Sequence, residues 1–154
     1  MSKETQNKAI VAEWFKRFWG NPYDEAVIDE LGADDLTVFY PMHGPRKGKA
    51  EVKKFMVEFR EAFPDLNFWG VEEMVAEGDI VVARWDGGGT NTGPAFDDLP
   101  VGALPRANTG KTMRFTGTSW LEVRDGKIVN EPGQECALAA LQQLVLIPPI
   151  ERTR

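Results

Sequence analysis

A chain of 154 residues, 42% hydrophobic and 27% charged, has the size and balance of one soluble globular domain with a single sizeable core. Its net charge of −6 excludes a broad phosphate-binding surface, because nucleic-acid affinity comes largely from clustered Lys and Arg releasing counterions. The sole cysteine, Cys136, excludes an internal disulfide, and no His-Glu-x-x-His or Cys-x-x-Cys string points to a metal.

The start, Met1 to Gln6, is polar where a signal peptide needs an apolar core, and the apolar run Leu144 to Ile147 falls far short of the ~20 residues that span a bilayer. The expectation is a cytoplasmic protein with no membrane or nucleic-acid partner. Ile10, Val11, Trp14, Phe15, Phe18 and Trp19 then fall at helical spacing and predict an amphipathic first helix ended by Gly20. Asn21-Pro22 reads as a cap and first-turn proline opening a helix from Tyr23 to about Leu31. Leu36 to Tyr40 is a short strand, Met42 to Arg46 a turn, and Val52, Phe55, Met56, Phe59 and Phe63 mark a third helix.

Leu66 to Val75 and Ile80 to Arg84 predict two strands joined through Glu77-Gly78-Asp79, with Gly87-Gly88-Gly89 loosening the second. The connection 93–110 carries three prolines and no periodicity, which suits a lid, a dimer contact or a mobile loop. Thr112 to Val123 alternates an oily face (Met113, Phe115, Leu121, Val123) with a mixed one (Arg114, Thr116, Thr118, Trp120, Glu122). The mixed face suggests a polar-lined cavity wrapped by a curved sheet. Asp125-Gly126 supplies the pair that a two-residue hairpin wants, so a return strand follows from Ile128. Two N-terminal helices, a strand, a helix, then longer strands and a closing helix imply an α+β fold over 1–154, ordered from about 8 to 148.

Several residues could carry chemistry. His43 is the only side chain whose ordinary pKa suits proton shuttling near neutrality, and it is either a surface turn histidine or a cavity-mouth acid or base. Arg84 and Asp86 share one side of their strand, as an exposed ion pair or as groups gripping a polar ligand. Glu131 and Glu135, four apart, share a face of the last strand, either toward solvent or buried with a raised pKa. Cys136, beside Ala137 and Leu138, reads as a packed thiol. Tryptophans and phenylalanines such as Trp14, Phe15 and Trp120 suit an aromatic-lined pocket for a flat apolar ligand.

Val82-Ala83-Arg84-Trp85, Gly89-Thr90-Asn91-Thr92-Gly93, Asn108-Thr109-Gly110-Lys111, Phe115-Thr116-Gly117, Asp125-Gly126-Lys127-Ile128-Val129 and Ala140-Leu141-Gln142-Gln143-Leu144 form an ordered series. In this order they resemble the SnoaL-like polyketide cyclase family. The resemblance runs from about Lys8 to Pro148 and implies a nuclear transport factor 2-like cone: a curved mixed or antiparallel sheet around N-terminal helices, with an interior pocket. It further implies a homodimer through the open sheet face and a cofactor-free intramolecular aldol step. The family's key aspartate falls here on Cys136, and its usual histidine on Asn91.

The resulting expectation is a cofactor-free cyclase, isomerase or hydrolase acting on a small apolar or aromatic molecule with carbonyl groups. His43 would shuttle the proton, Asp86 or Glu135 would act as base, Arg84 and Asn91 would polarise the substrate, and Trp14, Phe15, Trp120 and Cys136 would line its site. The alternatives are a non-catalytic small-molecule binder and a dimeric interaction module.

Overall fold

The structure, a computed structural model, describes residues 1–96 and 109–148. Helix α1, Lys3–Trp14, starts where the Ser2 hydroxyl accepts the Thr5 N–H at 3.1 Å, a side-chain cap for a donor with no helical partner. It runs into a π-helical segment, Phe15–Trp19, in which Gly20 N–H reaches back five residues to Phe15 C=O at 2.8 Å. Arg60 holds this exit. Its guanidinium lies over the Tyr23 ring and donates to the carbonyls of Phe18, Gly20 and Leu66 at 2.8, 2.9 and 2.8 Å.

The expected helix from Tyr23 begins later. Asn21-Pro22 is a cis peptide in a turn, and α2 spans Ala26–Leu31, its first N–H bonded to Asp24 rather than Asn21. There follow β1 (Gly32–Tyr40), β2 (Gly44–Lys47), α3 (Lys49–Ala62), β3 (Asn67–Gly70), β4 (Val75–Glu77), β5 (Ile80–Thr90), β6 (Thr112–Arg124), β7 (Lys127–Glu135) and α4 (Ala137–Gln143). The single strand expected over 66–75 is thus two short ones, and the triple glycine expected to loosen β5 does not break its pairing, which runs with β6 in unshifted register from Ile80 to Thr90. Gly87 and Gly88 let β3 and β6 come closer than any side chain would allow: a Cβ on Gly88 would stand 1.9 Å from Met113 C=O.

The strands make one seven-stranded sheet in the order β2-β1-β7-β6-β5-β3, with β4 also on β5. Only β1 and β7 run parallel, so the sheet is mixed. The hairpin between β6 and β7 turns at Asp125 and Gly126, with φ of 52° and 74°, the positive values its sequence demands.

Alternation sorts the sheet into two faces, and the helices decide which is inside. Val81, Ala83, Trp85, Met113, Phe115, Ser119, Leu121 and Val123 face α1, the π segment and α3 and are buried. The mixed face of β6 is the outer one, with Trp120 55% exposed. The cavity is therefore lined by the oily face, contrary to the sequence expectation: α3 buries an apolar stripe (Val52, Phe55, Met56, Phe59) and α1 with the π segment buries Val11, Trp14, Phe15, Phe18 and Trp19, and that face covers them. Most of the connection expected to be a lid or dimer contact, 97–108, lies outside the described residues.

Candidate functional site

One carboxylate organises the interior. Glu131, fully buried on β7, takes Trp14 Nε1–H on Oε1 at 2.6 Å and Trp19 Nε1–H on Oε2 at 2.8 Å, and Oε2 also accepts the Tyr40 hydroxyl. Trp14 and Trp19 are five apart, which in an α-helix would splay them by about 140°. The π segment adds the residue that brings both indoles to one side.

The network continues outward from Tyr40. Its hydroxyl lies 2.5 Å from Ser119 Oγ, which accepts Trp85 Nε1–H at 2.9 Å. Two glycines make room for the rings: a Cβ on Gly133 would stand 2.0 Å from Tyr40 Cε1, and one on Gly117 would stand 2.2 Å from Trp85 Cζ2. Burial pushes the Glu131 carboxyl up to about 7, against the three donors that favour its ionised form. Tyr40 is held well above its ordinary value by burial and by the neighbouring Glu131 charge.

In front of this layer lies a small cavity of about 20 Å³. Phe15, Trp19, Tyr40, Phe68, Trp85 and Phe115 wall it, and His43, Phe59 and Glu135 complete the lining. It is tight, with free space for little more than one water molecule between the rings. Glu135 Oε1 accepts Met42 N–H at 2.6 Å, which fixes the carboxylate, and burial raises it to about 7. The His43 ring packs 4.9 Å from Phe55 and 4.8 Å from Phe59. Phe15 and Phe68 also line a groove between the π segment and β3, bordered by Lys16, Asn21 and Asn67.

Of the residues singled out from sequence, the fold brings His43, Glu135 and Phe15 to the cavity wall, with Trp14 one layer behind through Glu131. Others lie elsewhere. Asp86 is on the outer face of β5, paired with Arg114 at 3.0 Å, whose guanidinium holds its carboxyl below the usual range. Arg84, on the same face, pairs with Glu72 at 2.6 Å, and Trp120 is exposed. These three cannot reach the interior, because alternation along β5 and β6 sends Ala83, Trp85, Ser119 and Leu121 there instead.

Asn91 is fully buried but pins the loop after β5. Its amide donates to Ala62 C=O at 2.8 Å and accepts from Thr109 N–H at 3.0 Å and Thr109 Oγ1 at 2.8 Å. Cys136, expected to pack, is exposed: β7 ends at Glu135, and Cys136 caps α4, outside the strand alternation. Tyr40, Ser119, Trp19 and Trp85 were not among the site candidates. Only the shared face of Glu131 and Glu135 signalled the network, since the partners of Glu131 are 91 to 117 residues away.

Among the described residues no group of three or more His, Cys, Asp or Glu could hold a metal ion. No helix of the described residues is long and apolar enough to cross a membrane. What the site offers is an aromatic enclosure with one carboxylate and one imidazole in its lining and a second carboxylate buried behind it.

Comparison with solved structures gives the same architecture. A protein from Jannaschia sp. described as a SnoaL-like polyketide cyclase superposes with TM-score 0.76 at 23% identity, covering 97% of this chain and 98% of its own. A protein from Acidithiobacillus ferrooxidans described as a polyketide cyclase gives 0.73 at 24%, covering 94% and 98%. AclR from Streptomyces galilaeus, described as a hydroxylase, gives 0.73 at 20%, covering 97% and 87%. At these identities the likeness establishes the fold, and other neighbours are described as ketosteroid isomerase-like and cystatin-like. A search of curated proteins found no significant match. Residues 9–144 match the family model for SnoaL-like polyketide cyclase, so the chain belongs to that family, with a cyclase-type cavity for a small molecule.

Proposed function

We propose that the protein is a cofactor-free acid–base catalyst acting on a small, mostly apolar molecule that carries a carbonyl group. The observation that carries this reading is Glu135: a largely buried carboxylate set in an aromatic wall and oriented by Met42 N–H. A carboxylate in that setting is more basic than one in water, which suits removal of a proton from carbon beside a carbonyl. The family aspartate has no counterpart at the exposed Cys136, and Glu135, the preceding residue, takes up its task from the cavity side. His43, in the same lining, returns the proton. Two copies pair over the outer sheet face, where Trp69, Val75 and Trp120 are 41, 68 and 55% exposed.

Exchange of the α-protons of 1-indanone in D2O, followed by proton NMR, tests the assignment. The protein is expected to accelerate exchange over buffer, with the rate rising through about pH 7 as Glu135 ionises. Glu135→Gln should lower that rate by about 10²–10⁴-fold, the usual contribution of a positioned general base. Exchange no faster than buffer, or equal in wild type and Glu135→Gln, would leave a cavity that binds without reacting.

A further inference from the structure

Room for a ligand lies beside the enclosed cavity rather than in it. Between the π segment and β3 runs a groove of about 400 Å³, within the ~300–1,000 Å³ of ordinary small-molecule sites, whereas the rings of the cavity leave space for about one water molecule. Phe15 and Phe68 belong to both walls, and Ala12, Met74 and Ala83 extend the apolar lining of the groove. Another open depression, of about 460 Å³ around Asp29, Asp34, Lys49 and Arg124, has Val129 as its one large apolar side chain. Its ions are already matched, Lys49 with Asp34 at 3.5 Å and Asp29 with Lys53 at 2.8 Å, so it offers an apolar ligand nothing that water does not.

The charges of the groove, by contrast, are unbalanced. Of the residues that line it only Lys16 is cationic; it is exposed on the π segment, and no acceptor among the described residues takes its ammonium. Its neighbour Arg17 is held by Asp24 and Glu30 at 2.7 and 2.6 Å. Glu72, the one carboxylate of the lining, is matched at 2.6 Å by Arg84, which is not part of the lining. Asn67 adds donors: its side-chain carbonyl accepts Asn21 N–H at 3.0 Å, which leaves its NH2 group with no acceptor among the described residues.

We propose that this groove binds a small apolar molecule ending in a carboxylate, with its hydrocarbon body on Phe15, Phe68 and Met74 and its carboxylate on Lys16 and the Asn67 amide. A carboxylate there gains charge-assisted hydrogen bonds and strands no group of the protein, since Glu72 keeps Arg84. An amine in its place would meet the like charge of Lys16, and a neutral group would gain only its area of burial. Lys16 is open to solvent, so its charge supplies selectivity more than strength. The assignment concerns the groove alone and holds whether or not Glu135 takes a proton in the cavity.

Calorimetric titration at low ionic strength with 2-naphthoate and with its uncharged isostere 2-naphthamide separates charge from shape. Naphthoate is expected to bind more tightly by about three- to tenfold, the range of one solvent-exposed ion pair reinforced by a hydrogen bond. Lys16→Gln changes an exposed helical position to a residue of similar helix propensity, so the fold is kept, and it should bring the two affinities together by weakening naphthoate alone. Ala12→Trp fills the groove from the exposed side of α1 and should weaken both compounds. Equal or tighter binding of naphthamide by wild type overturns the carboxylate assignment, and so does a preference for naphthoate that survives Lys16→Gln. Binding unchanged by Ala12→Trp puts the ligand elsewhere and overturns the groove as its site, as does failure of both compounds to bind wild type.

Discussion

Glu131→Gln should change stability with opposite sign on the two sides of neutrality. Glu131 is fully buried, and its carboxyl is raised from 4.5 to about 7 in the folded chain. Between those values the folded state keeps a proton that the unfolded state has lost, so stability is full below 4.5 and falls as pH rises through about 7. At ~1.4 kcal/mol per pH unit, the loss across this window is about 3 kcal/mol. Glutamine cannot titrate and lacks that slope, while the parallel effect of Glu135 is common to both proteins and cancels.

At pH 5 the neutral acid still has two oxygens for Trp14, Trp19 and Tyr40, whereas the amide has one oxygen and a nitrogen that cannot accept. One indole N–H is stranded, at a cost of about 1–3 kcal/mol, so the variant is less stable than wild type by that amount. At pH 8 the wild type carries the full ionisation cost of about 3 kcal/mol, and the variant becomes equal or more stable. Urea unfolding of both proteins at pH 5 and pH 8 measures the gap. A gap constant to within about 0.5 kcal/mol would show that Glu131 does not change protonation in this range, and the account of its burial would be wrong.

Gly133→Ala puts a methyl 2.0 Å from the Tyr40 ring, so the phenol must move; a loss of about 1–3 kcal/mol in urea unfolding is expected, together with weaker binding of any cavity ligand. Asn91→Ala strands Thr109 N–H and removes one of the two donors to Ala62 C=O, which keeps Gly93 N–H at 3.3 Å, and should cost about 1–3 kcal/mol by the same measurement. Asp86→Asn removes only an outer-face pair with Arg114, whose side chain is 66% exposed, and should shift stability by less than about 1 kcal/mol.

Some local signals carry through to the fold and others do not: the helix expected to open at Asn21-Pro22 begins only at Ala26, after a cis peptide in a turn, and the strand expected over 66–75 is two. The third helix, the Asp125-Gly126 hairpin and the alternation along β6 each follow from spacing or turn chemistry within a dozen residues. Alternation also put Glu131 with Glu135, and Arg84 with Asp86, on common faces. It does not say which face looks inward. Trp120 and the threonines of β6 resemble a site lining as much as the oily residues resemble a core, and the choice is made by helices far away in the chain. The π segment was hidden for another reason: its apolar residues also satisfy α-helical spacing. The hub at Glu131 joins four elements, so no window of sequence contains it.

The surplus residue of the π segment has a consequence for comparing this chain with others. An uninterrupted α-helix would set the same two indoles on one side at a separation of four rather than five. The pair that grips Glu131 is therefore defined by geometry and not by a fixed count. Tracing it through more distant chains requires an alignment that allows a one-residue gap between the tryptophans, because a rigid pattern would treat identical clamps as unrelated.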